Sequence, residues 1–189
     1  MKKSVRVLTE CAVMLAVANV LSFIKLPSFW AYGGGITVVS MLPLVLICFR
    51  HGTKTGLLAA FAYSCMQLIF GLDNVQYATG FVMAAGIVLF DYILAYSAIG
   101  LAACFNKSAE GKPADLSLCV GIAFAFALRL ACHFISGWWI WEALWPNELA
   151  WAAPIWSLTY NASYMVPEIV LTCIAACLLN RTTRLFVRI

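Results

Sequence analysis

The sequence predicts an all-α integral membrane protein of six transmembrane helices, with both termini on the cytoplasmic side. Three observations lead there. Of 189 residues, 64% are hydrophobic and only 11% are charged, whereas a soluble domain carries about 25% charged residues. The apolar residues come in runs that reach or approach the span of a bilayer, which takes about 20 helical residues. Lysine and arginine recur in alternate connections between these runs, the pattern that sets orientation in a membrane.

The elements follow in order. "MKKSVRVLTE" precedes the first apolar run, residues 5–23. No small-residue cleavage site closes that run; Lys25, Leu26 and Pro27 come next, so it reads as a retained helix and not a signal peptide. Pro27 and Gly33-Gly34-Gly35 make 25–35 a loop. Residues 36–49 form a second, short span, expected to bend at Pro43. The turn "RHGTK" leads into a third, 55–70, and "GLDNVQYATG" is rich in turn residues. The fourth span is 81–105, the hydrophilic connection "NKSAEGKPAD" follows, and 116–140 and 155–179 are the fifth and sixth. No polar stretch is long enough to fold around its own core, so 1–189 reads as a single transmembrane domain.

With six spans, Lys2, Lys3, Arg6, Arg50, Lys54, Lys107, Lys112, Arg181, Arg184 and Arg188 all fall on one side. The opposite side carries Lys25. That asymmetry makes the basic side cytoplasmic and puts the tryptophan-rich stretch at the outer face.

Several chemistries have no motif. The chain holds eight cysteines but no CxxC and no Cys–His set with zinc-site spacing, so no metal site is expected. HExxH, GxSxG and the phosphate-binding GxxxxGK[ST] are absent as well.

Four ionisable residues fall inside spans, where they are costly and tend to mark function: Asp91, Arg129, His133 and Glu168. Arg129 pairing with Asp91 or Glu168 is one reading; a pocket open to the exterior for a polar or cationic ligand is the other. At α-helical spacing His133, Gly137 and Trp141 share a face, with Gly137 leaving a gap between two flat side chains. Asn161 and Glu168, seven apart, share a face of the sixth span.

Six of the seven tryptophans crowd between His133 and Tyr164. Trp138, Trp139, Trp145 and Trp151 suit a membrane-interface belt. Rings mixed with a carboxylate also suit a cage for a flat or cationic ligand. In the first span, Ala12 and Ala16 make a small-residue face for close helix contact, within the protein or with a partner.

These residues lie in segments that resemble a known family. "RVLTECAVMLAVA", "GGGITVVSMLPLVLICFRHGTKTGLLAAFAYSCMQLIFG", "LFDYILAYSAIGLAACF", and "HFISG" followed by "PIWSLTYNASYMVP" resemble the thiamine-specific S component (ThiT/YuaJ) of energy-coupling factor (ECF) transporters. The resemblance implies six helices and high-affinity capture of extracellular thiamine in an outward-facing pocket of a bacterial cell-membrane protein. No cofactor or catalysis is implied. It also implies docking of the Ala12 and Ala16 face on a transmembrane coupling subunit (EcfT), with two cytoplasmic ATPases supplying the energy. Carried over position by position, the vitamin contacts fall on Asp91, Tyr92, His133, Gly137, Trp141, Trp156 and Asn161, and a covering aromatic on Trp30 or Tyr32 of the first loop. The family often has glutamate at the position of Asp91 and tyrosine at that of Trp156. An S component for another vitamin or a thiamine precursor, and a small membrane enzyme, are the alternatives.

Overall fold

The computed structural model describes residues 3–26, 34–106 and 111–188. Within them the chain is helical, with no β-strand. Six helical rods carry the fold among the described residues: α1 (Lys3–Ser22), α2 (Leu42–His51), α3 (Thr53–Phe70), α4 (Phe81–Leu101), α5 (Asp115–Leu144) and α6 (Ala153–Thr182). A single helical turn, Leu72–Val75, follows α3. Four stretches have the length and apolarity to cross a membrane: Ser4–Ser22 and the whole of α4, α5 and α6. Large apolar side chains such as Leu8, Leu58, Val82 and Ile174 face outward from these rods, as a lipid-facing surface requires.

The second span departs from expectation. Residues 36–40 are not helical; Thr37 forms an antiparallel bridge with Lys25, and Leu26 N–H donates to Ile36 O at 2.9 Å. The helix begins only at Leu42, with Pro43 in its first turn. Proline suits that position because the first helical N–H groups have no partner to lose, so Pro43 starts α2 and does not bend it. At ten residues, α2 is about 15 Å long, half of a bilayer core. Every residue from Leu42 to Phe49 is buried, so α2 is a central plug held by α1, α3, α4 and α6. Gly52, at φ +85°, reverses the chain into α3 in a conformation that favours glycine.

One end of the bundle is charged and cross-linked. Glu10 accepts from Arg6 Nε at 3.0 Å and Arg50 Nε at 2.8 Å, with His51 Nε2 at 3.0 Å. Arg50 Nη1 also donates to Leu185 O at 3.1 Å, which ties down the C-terminal tail where Phe186 packs edge-on against Phe49. Nearby in the chain, Arg181 meets Asp115 at 2.7 Å and Lys112 Nζ donates to Asn180 O at 2.6 Å. The opposite end, with the C-terminal ends of α1, α3 and α5 and the start of α6, encloses a cavity.

Candidate ligand-binding site

The cavity has a volume of about 710 Å³. Asp91, Tyr92, His133, Gly137, Trp141, Trp156 and Asn161 all line it. Trp30 and Tyr32 lie outside the described residues. Ala12 and Ala16 do not line the cavity and are exposed on α1.

Two local departures from α-helical geometry build the site. Ile87–Ile93 of α4 and Gly137–Trp141 of α5 are π-helical, a rare widening of the turn that recurs at functional sites. In α4 the wider turn buries neighbours Asp91 and Tyr92 together. In α5 it carries Trp141 toward α4. There Trp141 Nε1 donates to Asp91 Oδ2 at 2.8 Å, and His133 Nδ1 lies 3.3 Å from Asp91 Oδ1. Asp91 is 9% exposed, so both carboxylate oxygens have a protein neighbour in place of water. Each oxygen has a second lone pair for a further donor. His133 Nε2 is buried with no partner among the described residues.

Tyr92 is fixed by its hydroxyl, which donates to Gly71 O at 3.0 Å and accepts from Asn74 Nδ2 at 2.7 Å. Asn161 is held as firmly: Nδ2 donates to Ser157 O at 2.9 Å, and Oδ1 accepts from Tyr164 Oη at 2.6 Å. Gly137 does not leave the gap between flat side chains that its spacing suggested. A Cβ there would lie 2.3 Å from Ser157 Oγ and 3.2 Å from Asn161 Nδ2. Its role is to let α5 and α6 close on each other beneath the cavity.

Arg129 pairs with Glu168 and not Asp91, at 3.0 Å and buried. Its guanidinium also lies over Tyr96, 4.8 Å from the ring centre. Glu168 further accepts from Thr37 N–H at 3.1 Å and from the Thr37 hydroxyl. The pair therefore anchors the segment before α2 to α6, at the floor of the cavity.

Trp145, Tyr160 and Tyr164 also line the cavity, without having been assigned to it from sequence. Trp145, assigned to the belt, stacks on Trp141 with ring centres 5.5 Å apart at 10° and lines the cavity. Trp156, Tyr160 and Tyr164 form an aromatic ladder with successive centres 5.8 and 6.0 Å apart. Their four-residue spacing was a readable signal. Gly34 N–H donates to Tyr160 Oη at 2.7 Å, which holds Gly34 against that ladder. Trp138, Trp139 and Trp151 are exposed, as belt residues are.

The arrangement offers a buried carboxylate and flat imidazole, indole and phenol side chains. It is suited to a planar, positively charged ligand that donates hydrogen bonds. Among the described residues no group of three or more His, Cys, Asp or Glu side chains forms a metal site.

Comparison with known proteins gives the same direction. The family described as thiamine transporter protein (Thia_YuaJ) matches residues 8–187. Thiamine transporter ThiT of Bacillus subtilis (strain 168) is 34% identical over 184 residues, covering 93% of this chain and 90% of the relative. Among solved structures, ThiT from Listeria monocytogenes aligns with a TM-score of 0.74 at 23% identity, over 98% of this chain and 99% of the other. The S component of a bacterial ECF transporter aligns at 0.60 and 20% identity, over 95% of each chain. These two structures share the fold.

Proposed function

The chain belongs to the thiamine transporter protein family, and from that premise we propose that it is the thiamine-binding S subunit of an ECF transporter. In this reading it is a single, multi-pass domain of the bacterial plasma membrane with six spans and both termini inside. Thiamine enters the cavity from outside. The exposed Ala12 and Ala16 face of α1 docks on the transmembrane coupling subunit, and two cytoplasmic ATPases drive transport. The protein is a transporter component and not an enzyme.

The observation that carries the reading is Asp91, a buried carboxylate held between Trp141 and His133 on the wall of an aromatic cavity. Thiamine joins a thiazolium cation to an aminopyrimidine ring. The amino group donates to the free lone pairs of Asp91, beside the His133 ring on the cavity wall. Indole and phenol faces attract the cation, by about 0.5–2 kcal/mol per ring according to how far water is excluded. Burying the cation beside Asp91 also offsets the desolvation of that carboxylate. Several such contacts reach nanomolar binding, about −12 kcal/mol. The basic end of the bundle around Arg6, Arg50, Lys112 and Arg181 supports the cytoplasmic placement of the termini.

Titration calorimetry of the purified protein tests this. Thiamine is expected to bind at one site with nanomolar affinity, and the isolated pyrimidine and thiazole fragments far more weakly. Absence of saturable thiamine binding, or tighter binding of either fragment, would reject it.

A further inference from the structure

Cys119 of α5 and Cys177 of α6 are in contact: their Sγ atoms lie 3.6 Å apart. All eight cysteines are free thiols, and none of them lines the cavity. A third thiol is close, with Cys173 Sγ 4.0 Å from Cys119 O.

The contact is set by helix register. α5 and α6 run antiparallel and pack along their length. At the charged end Arg181 Nε donates to Asp115 Oδ2 at 2.7 Å. Cys119 lies four residues after Asp115 on α5, and Cys177 four before Arg181 on α6. The thiols therefore form the next rung, about 6 Å further in. Deeper still, Arg129 pairs with Glu168 at 3.0 Å, and Ser157 Oγ donates to Phe134 O at 2.8 Å. Polar rungs on either side thus hold the two sulfurs in register. Both thiols are half-buried, and their chain neighbours Val120 and Leu178 are exposed. The pair lies at the edge of the seam, where a small neutral reagent reaches it.

We propose that Cys119 and Cys177 are a modification site: a dithiol that peroxide converts to a disulfide joining α5 to α6. One sulfur attacks a peroxide oxygen and breaks the O–O bond, giving a sulfenic acid and one water. The second sulfur attacks the sulfenic sulfur, forms the S–S bond and releases another water. Two thiols give up two electrons, and one hydrogen peroxide is reduced to two waters. The sulfurs must close by about 1.5 Å to reach disulfide bond length, a shift within the rotation of two side chains at a seam edge. In the proposed orientation this end faces the reducing cytoplasm, so the pair rests as thiols and the disulfide is a response to oxidant. The link staples the two helices at the end opposite the cavity.

Peroxide treatment of the purified full chain tests it. The reduced protein is exposed to hydrogen peroxide, remaining thiols are alkylated, and peptides are mapped by mass spectrometry without reduction. The expected product is a Cys119–Cys177 disulfide in most molecules, reversed by dithiothreitol. Oxidation should raise Tm by about 4 °C or more relative to Cys119→Ser treated in parallel, a control that discounts methionine oxidation. Cys177→Ser should behave as Cys119→Ser does, and Cys104→Ser as the natural chain. If neither of the first two variants folds, the fall in Tm on adding dithiothreitol to the oxidised natural chain is read instead. Cys119 and Cys177 left free or overoxidised, or either one joined to another cysteine, overturn the proposal, as does a link that leaves Tm unchanged. None of these readouts uses thiamine, so the thiamine reading stands or falls separately.

Discussion

The indole N–H of Trp141 donates to Asp91 Oδ2 at 2.8 Å across the interface of α4 and α5. Each of the two sits in a π-helical turn of its own rod, so two irregular stretches meet at one hydrogen bond. Trp141 therefore does two things in the structure. Its ring offers a stacking face, and its nitrogen holds the carboxylate. Trp141→Ala is expected to weaken thiamine binding by at least about tenfold, or 1.4 kcal/mol. Trp141→Phe, which keeps a ring and loses the donor, should fall between. Paired with Asp91→Asn in a double-mutant cycle, Trp141→Phe should be non-additive by about 0.5–3 kcal/mol. Calorimetry reads all of these, and additive losses would show that the bond does not organise the site.

Gly137 gives a prediction about packing. A Cβ at 137 would sit 2.3 Å from Ser157 Oγ, and Ser157 Oγ is itself fixed by donating to Phe134 O at 2.8 Å. Gly137→Ala should overpack the contact of α5 with α6, at a cost of about 1–3 kcal/mol. It should also displace Asn161. A lowered Tm in detergent and weaker thiamine binding are expected, with part of the Tm recovered by adding Ser157→Ala. A Gly137→Ala protein with unchanged Tm would contradict the close approach.

The buried pair of Arg129 and Glu168 gives a third. Removing one member leaves an uncompensated buried charge, costing about 3–5 kcal/mol. Arg129→Met and Glu168→Gln should each lower Tm more than the combined Arg129→Met/Glu168→Leu protein does. Because Glu168 also holds Thr37 N–H at 3.1 Å, its loss should raise amide exchange in residues 34–41. Exchange there at the natural rate would mean that Glu168 does not anchor the segment.

How much of this was readable beforehand differs from element to element. Long apolar runs marked α1, α4, α5 and α6, because span length is a property of composition over a window. The second span was misread. Hydropathy does not distinguish the non-helical residues 36–40, bridged only at Thr37, from helix, and Pro43 stops being a bend once the helix starts beside it. Asp91 and His133 stood out because ionisable groups are rare in spans. That Arg129 chooses Glu168 depends on which rods are neighbours, which the pairwise spacing of residues along one helix does not carry. Trp145 and the π-helical turns were hidden for a related reason. Face assignment assumed 3.6 residues per turn throughout, and both Asp91 and Trp141 sit where that period fails. Tyr160 and Tyr164, by contrast, were in plain view at a helical spacing from Trp156.

The exposed Ala12 and Ala16 face of α1 gives a test that separates binding from transport. Ala12→Leu or Ala16→Leu should leave thiamine affinity of the purified protein unchanged and abolish uptake by cells that depend on it. Normal uptake by both variants would move the docking surface elsewhere on the bundle.

Tryptophan fluorescence during a thiamine titration tests the site most directly, because Trp141, Trp145 and Trp156 all line the cavity. The expected result is strong, saturable quenching at one equivalent of thiamine, greatly reduced in Trp141→Phe and shifted to far higher thiamine in Asp91→Asn. Fluorescence that stays flat with thiamine, or quenching indifferent to both substitutions, would contradict a thiamine site built on Asp91 and Trp141.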